Sequence, residues 1–105
     1  MIEVLRGAVW RVPTVGRERT VLVVQHNQVI KLHPGGIACL MVQEVEDARD
    51  TLLTVPIEQP VRGVVMASDI SQFRPLRFEQ GKLLGYLSPT DLERVETALR
   101  AALDL

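Results

Sequence analysis

The chain has 105 residues, 47% of them hydrophobic and 24% charged. That is globular composition, and the length suits one domain, 1–105, able to bury roughly two-thirds of its unfolded surface without staples. A net charge of −1, from 12 Lys and Arg against 13 Asp and Glu, argues against a dedicated duplex-binding protein but leaves room for a small nucleic-acid site. Cys39 is the single cysteine, so no intramolecular disulfide forms; within Ile37–Val42 it reads as a small buried hydrophobe. No apolar run approaches the roughly 20 residues of a membrane span, and Met1-Ile-Glu-Val-Leu-Arg6 lacks the pattern of a signal peptide. A reducing cytoplasm is the expected setting.

In chain order, Ala8-Val-Trp-Arg-Val12 alternates as a first strand, with Val9 and Arg11 on one face and Ala8, Trp10 and Val12 on the other. Pro13-Thr-Val-Gly16 is turn chemistry. A strand over about 19–25 follows at hairpin distance, built on the apolar, β-branched run Thr20–Val24. Arg17 and Arg19 precede that run and Gln25-His26-Asn27 follows it, so cationic and imidazole chemistry sits at its two ends. Val29-Ile-Lys-Leu-His33 extends this strand or makes a short one of its own, and Pro34-Gly35-Gly36 forces a turn. Ile37–Val42 is a second buried strand, ending at Gln43 and Glu44 before an acidic loop.

Leu52–Ile57 reads as a strand at or near an edge, because Pro56 cannot donate to a ladder. Gly63–Ala67 is the next strand, with Ser68 and Asp69 at its polar end. Phe73–Phe78 reads as an irregular extended segment and Lys82–Leu87 as the last strand. One helix closes the chain: Ser88 caps it, Pro89 suits its first position, and Leu92, Val95, Leu99 and Ala102 form an apolar stripe. The architecture expected is a mostly antiparallel, strongly bent or barrel-like sheet with a terminal helix.

The chemistry available is limited. Two His and one Cys, with no C-x-x-C, H-x-x-x-H or E-x-x-H spacing, argue against a metal site, and no cofactor is implied. Neither phosphate-binding glycine loop nor nucleophile elbow is present. The remaining candidates stand at strand ends: Arg17, Arg19, His26, Glu44, Ser68 and Asp69. Each also has a plain structural reading as a solvated or backbone-satisfying side chain. Acting together they suit phosphate chemistry, in which Arg forks onto phosphate oxygens and a His or carboxylate moves protons.

Four stretches, in order, resemble the MazF/PemK family of bacterial type II toxins. They are Arg6-Gly-Ala-Val-Trp10, Arg19-Thr-Val-Leu-Val-Val-Gln25, Gly63-Val-Val-Met-Ala-Ser-Asp-Ile-Ser-Gln-Phe73, and Lys82–Ser88 with the helix after it. The resemblance implies a mainly β (α+β) fold, an SH3-like antiparallel β-barrel with a C-terminal helix, usually a homodimer. It implies a cytoplasmic, metal-independent and sequence-specific endoribonuclease acting on single-stranded RNA, neutralised by a cognate antitoxin. By this likeness Arg19 is the catalytic arginine, with Glu44, Ser68 and Asp69 as catalytic helpers. Arg17, His26 and Arg74 would contact RNA, and Trp10 and Phe73 would stack on bases, Trp10 having core packing as its alternative.

The sequence departs from the pattern at Thr20, where the family has proline, and at Arg17, where it has glycine. It departs again near Gln43-Glu44, where the family's Thr or Ser hydroxyl is missing, so Glu44 would have to serve as base. That gap keeps two alternatives open: a non-ribonuclease, CcdB-like, gyrase-directed toxin on the same fold, or a weakened binding module. The chain ends in Ala-Leu-Asp-Leu105 rather than the Trp-Gly-Ile tail of the CcdB branch.

Overall fold

The structure, a computed structural model, describes residues 2–33, 35–47 and 49–105. Along the chain run β1 (Ala8–Thr14), β2 (Arg17–Val23), α1 (Asn27–Leu32), β3 (Ile37–Gln43), β4 (Thr54–Ile57), β5 (Gly63–Phe73), α2 (Pro75–Glu79), β6 (Lys82–Tyr86) and α3 (Pro89–Leu103). The six strands form one curled antiparallel sheet in the order β4-β5-β3-β2-β1-β6. The bent antiparallel sheet and closing helix are as expected.

β1 and β2 are joined by the two-residue turn Val15-Gly16, with Pro13 opposite Glu18 and Thr14 opposite Arg17. Gly16 takes a φ of 88°, a left-handed conformation that glycine reaches without steric cost. Arg19 is thereby set opposite Val12, and Thr20 opposite Arg11.

Both faces of the sheet are covered. On one, Trp10, Val12, Val21, Val23, Cys39 and Met41 pack with Ile30 of α1 and Phe78 of α2. On the other, Val9, Leu22, Leu40, Val42, Val65 and Ala67 pack with Val95 and Ala98 of α3. The predicted stripe of α3 is there, since Leu92, Leu99 and Ala102 join this second cluster. Ser88 caps α3 by accepting a hydrogen bond from the Asp91 amide at 3.1 Å. Cys39 is fully buried, and that burial pushes its thiol up to about 12, so it is an inert core residue.

Three expectations need correction. The Val29–His33 stretch is not a strand: it belongs to α1, whose N-cap His26 accepts the Gln28 amide through Nδ1 at 3.1 Å. Only Ile30 of that helix is buried, so one apolar contact and a cap decide its conformation. The Phe73–Phe78 segment is not extended throughout, because Pro75 starts α2 at the position where its fixed φ and missing N–H are favourable. β5 does not stop at Ala67 but continues to Phe73 across a register break. In the expected turn at Pro34-Gly35-Gly36, Pro34 lies outside the described residues, while Gly35 and Gly36 are in turn and bend conformations.

Candidate functional site

Arg19 stands where β2 emerges from the core. Its partner Val12 packs with Val21 and Trp10, so Arg19 continues the row of side chains on the α1–α2 face. There it lines an open depression of about 490 Å³ together with Thr14, Val15, Gln72, Phe73, Arg74 and Arg77. Two elements form this depression. The β1–β2 hairpin supplies Thr14, Val15 and Arg19, and the junction of β5 with α2 supplies Gln72, Phe73, Arg74 and Arg77.

The α2 wall is seated firmly. Phe78 is fully buried and meets Trp10 edge to face, with ring centroids 5.4 Å apart. Arg77 Nη1 donates to the Pro13 carbonyl at 3.4 Å and ties α2 to the end of β1. Phe73 is half-buried against the same core. Among the described residues, Arg19, Arg74 and Arg77 make no ion pair, and no carboxylate lines the depression. Three guanidinium groups therefore meet one concavity with their charge uncompensated, an arrangement suited to a polyanion.

Other predicted residues lie elsewhere. Glu44 is on the opposite face. Arg11 and Thr20 point to the α3 side in register, and both bind its carboxylate. Arg11 Nη2 donates to both carboxylate oxygens at 2.9 and 3.0 Å, and the Thr20 hydroxyl donates to Oε2 at 2.6 Å. The Thr20 hydrogen bond holds the Glu44 carboxyl below its usual range; burial opposes it, and the hydrogen bond and charge of Arg11 add to the lowering. The sheet itself separates this carboxylate from the Arg19 depression, and no proton-transfer role at Arg19 follows from its position.

Trp10, expected as a stacking platform or a core residue, is the latter. It is 6% exposed and in contact with Phe78, which leaves no free ring face for a base. Its indole N–H is buried without a hydrogen-bond partner. His26 caps α1 at the other end of β2, seven residues from Arg19, or about 20 Å along extended chain. Arg17 is exposed beside the hairpin turn, where its carbonyl accepts from Thr14 Oγ1 at 2.8 Å, but it does not line the depression.

Ser68 and Asp69 are exposed within the break in β5. Leu40 faces Ile70 and Met41 faces Met66, so residues 67–69 have no partners across the ladder. This is a bulge, and alternation does not carry through it. Neither residue lines the Arg19 depression. Of the predicted set, then, Arg19, Phe73 and Arg74 are brought together. Sequence reasoning passed over Thr14, Gln72 and Arg77 as site residues. The signal for Arg77 was the excess of Arg over Glu in residues 74–82, and the signal for its placement was Pro75 as a helix start.

Among the described residues, no three His, Cys, Asp or Glu side chains are grouped to hold a metal ion. No helix there is long and apolar enough to cross a membrane.

Comparison with known proteins follows the same lines. The family described as "PemK-like, MazF-like toxin of type II toxin-antitoxin system" matches residues 5–103. An endoribonuclease from a mycobacterial species superposes with a TM-score of 0.85 at 25% identity, covering 100% of this chain and 95% of that one. A mycobacterial endoribonuclease in complex with its cognate antitoxin gives a TM-score of 0.85 at 24% identity, over 100% and 97% of the two chains. A MazE–MazF structure from Deinococcus radiodurans gives 0.79 at 18% identity, over 100% and 99%. The last two, being less than 25% identical, speak for the fold. No curated protein matches the chain by sequence.

Proposed function

Because the chain belongs to the PemK-like, MazF-like toxins of type II toxin–antitoxin systems, we propose that it is a sequence-specific endoribonuclease of single-stranded RNA, kept inactive by a cognate antitoxin. The observation that carries this reading is the depression around Arg19, where three arginines gather with no acidic partner among the described residues. The mycobacterial endoribonuclease of similar fold supports it. The working form we propose is a homodimer in the cytoplasm.

The reaction we propose is transesterification. The ribose 2′-oxygen attacks the adjacent phosphorus as its proton leaves, the bond from phosphorus to the 5′-oxygen breaks, and the departing 5′-oxygen takes up a proton. The products are a 2′,3′-cyclic phosphate and a 5′-hydroxyl. Arg19 supplies donors and positive charge to the non-bridging oxygens, whose charge grows towards the pentavalent transition state. Among the described residues, no carboxylate or imidazole lines the depression, so in this reading protons pass to and from solvent. Arg19 acts electrostatically and metal is not required.

The test is incubation of the purified protein with a long single-stranded RNA in EDTA, beside the Arg19→Ala variant, with mapping of 5′-hydroxyl ends. Discrete cuts by the wild type alone are expected, and they deliver the recognition sequence directly. Intact RNA in both samples would overturn the ribonuclease reading.

A further inference from the structure

Half of the ten arginines of this chain have acidic partners among the described residues. Arg6, Arg11, Arg62, Arg94 and Arg100 each lie within 4.0 Å of a carboxylate. Arg19, Arg74 and Arg77 have none among the described residues, and all three line one depression. They come to it from two directions, Arg19 from β2 and the other two from the start and body of α2. The depression, at about 490 Å³, lies in the size range that takes a whole organic ligand, and a single phosphate would occupy only part of it.

α2 is fixed in place by the buried Phe78 ring and by the Arg77–Pro13 hydrogen bond. That bond uses Nη1 of Arg77; the guanidinium has further donors for a ligand. Arg74 is exposed and its side chain makes no capping bond to α2. Half-buried Phe73 stands beside the pair, next in sequence to Arg74.

We propose that Arg74 and Arg77 form a second phosphate subsite, which holds the phosphodiester next to the one that Arg19 engages. The inference rests on the endoribonuclease reading and divides the work within that site. Arg19 serves the reacting phosphate, while Arg74 and Arg77 are positioning residues that fix the register of the strand. The ligand is thus a dinucleotide segment of RNA, with Phe73 placed to meet the base between the two phosphates.

The experiment is a charge-deletion cycle between protein and RNA. A short RNA spanning a mapped cut carries 2′-deoxyribose at the cleaved nucleotide, which prevents reaction. If no cut is found, the tightest-binding sequence is used. Neutral methylphosphonates are placed at one linkage at a time, and binding is read by fluorescence anisotropy.

For the wild type, neutralising the central linkage and one neighbouring linkage should each weaken binding about tenfold, as for a lost charge-assisted contact. The Arg74→Gln/Arg77→Gln protein should bind unmodified RNA about tenfold more weakly, and should no longer respond to the neighbouring methylphosphonate. It should still respond to the central one, and Arg19→Ala should show the reverse pattern. The slope of log affinity against log salt should fall from about −1.4 to about −0.7, at roughly 0.7 per phosphate on a single strand. Arg74→Gln alone leaves the Arg77–Pro13 contact intact and should show the same selective loss at smaller size.

Equal sensitivity of the double variant and the wild type at every linkage would overturn the subsite. So would a uniform loss that follows no particular phosphate. If the wild type cuts RNA and the double variant binds like it, the subsite falls and the ribonuclease reading stands. If the wild type cuts nothing but the two-phosphate pattern appears, the ribonuclease reading falls and the subsite stands.

Discussion

Two arginines one row apart on the same hairpin have opposite surroundings. Arg11, on the α3 face, lies opposite Thr20 and holds Glu44 through both carboxylate oxygens. Arg19, opposite Val12, faces the other way into a depression with no acid in it. An arginine already paired must break that pair before its charge is available to a substrate. An arginine with no partner loses nothing but water when a phosphate arrives. The alternation of two paired strands, β1 and β2, thus sends one of two chemically identical side chains into a structural tie and the other into an open concavity. It also keeps Glu44 away from the Arg19 depression, because the sheet stands between.

The sharpest way to break this contrast is to disturb what holds the Arg19 face in shape. Phe78→Ala should cost about 3–5 kcal/mol, the range for deleting a buried aromatic ring, read as a fall in Tm or in the denaturant midpoint. Trp10→Phe should cost clearly less and leave KM for RNA unchanged, since Trp10 is core. A raised KM with an unchanged Tm would restore Trp10 as a base platform.

Next comes the charge itself. Arg19→Ala should lower kcat about 10²–10³-fold, as for loss of one transition-state donor, with little change in Tm. Arg11→Ala should leave kcat within a fewfold of wild type. Equal losses from the two variants would erase the distinction between the faces. A smaller effect is expected at Phe73. Phe73→Leu keeps an apolar contact with the core but loses a flat ring, and should raise KM by about tenfold if one stacked base is lost.

The sequence made β1, β2, β3 and α3 legible because each carries its own period: alternation in Ala8–Val12, continuous apolar runs in Thr20–Val24 and Ile37–Val42, and a helical stripe after Ser88. α1 and α2 were not legible for a common reason. Helices of six and five residues are too short to be stable alone, so packing decides them. In each case a single buried residue, Ile30 or Phe78, does so.

The alternation of β1 correctly grouped Trp10 with Ala8 and Val12. It could not say whether that face met water or a core, and helices cover both faces. The candidate site was legible where it follows a strand, at Arg19, and only as loose charge where it depends on α2, at Arg77. Ser68 and Asp69 were out of reach because the bulge at 67–69 interrupts the alternation that would have placed them.

The finest test of the contrast is on the paired side. Glu44 titrates below its unfolded value, first because the Thr20 hydroxyl donates to it and then because Arg11 lies beside it. A carboxyl with a depressed native pKa stabilises the fold above its unfolded pKa, near 4.3. That contribution is lost as pH falls through the native value. The side chains of Arg11 and Glu44 are 32% and 40% exposed, so solvent screening keeps the contribution small, at most about 1 kcal/mol. Glu44→Gln should therefore lower stability slightly at pH 7 and flatten its decline below pH 4.5 or so. Cleavage should respond differently. If Glu44 only ties Arg11 to Thr20, kcat and the shape of its pH profile should match wild type across neutral pH. A large fall in kcat at unchanged Tm, with loss of an acid limb from the profile, would make Glu44 a base after all. It would then have to reach the scissile phosphate from the α3 face, and Arg19 could no longer mark the reacting centre alone.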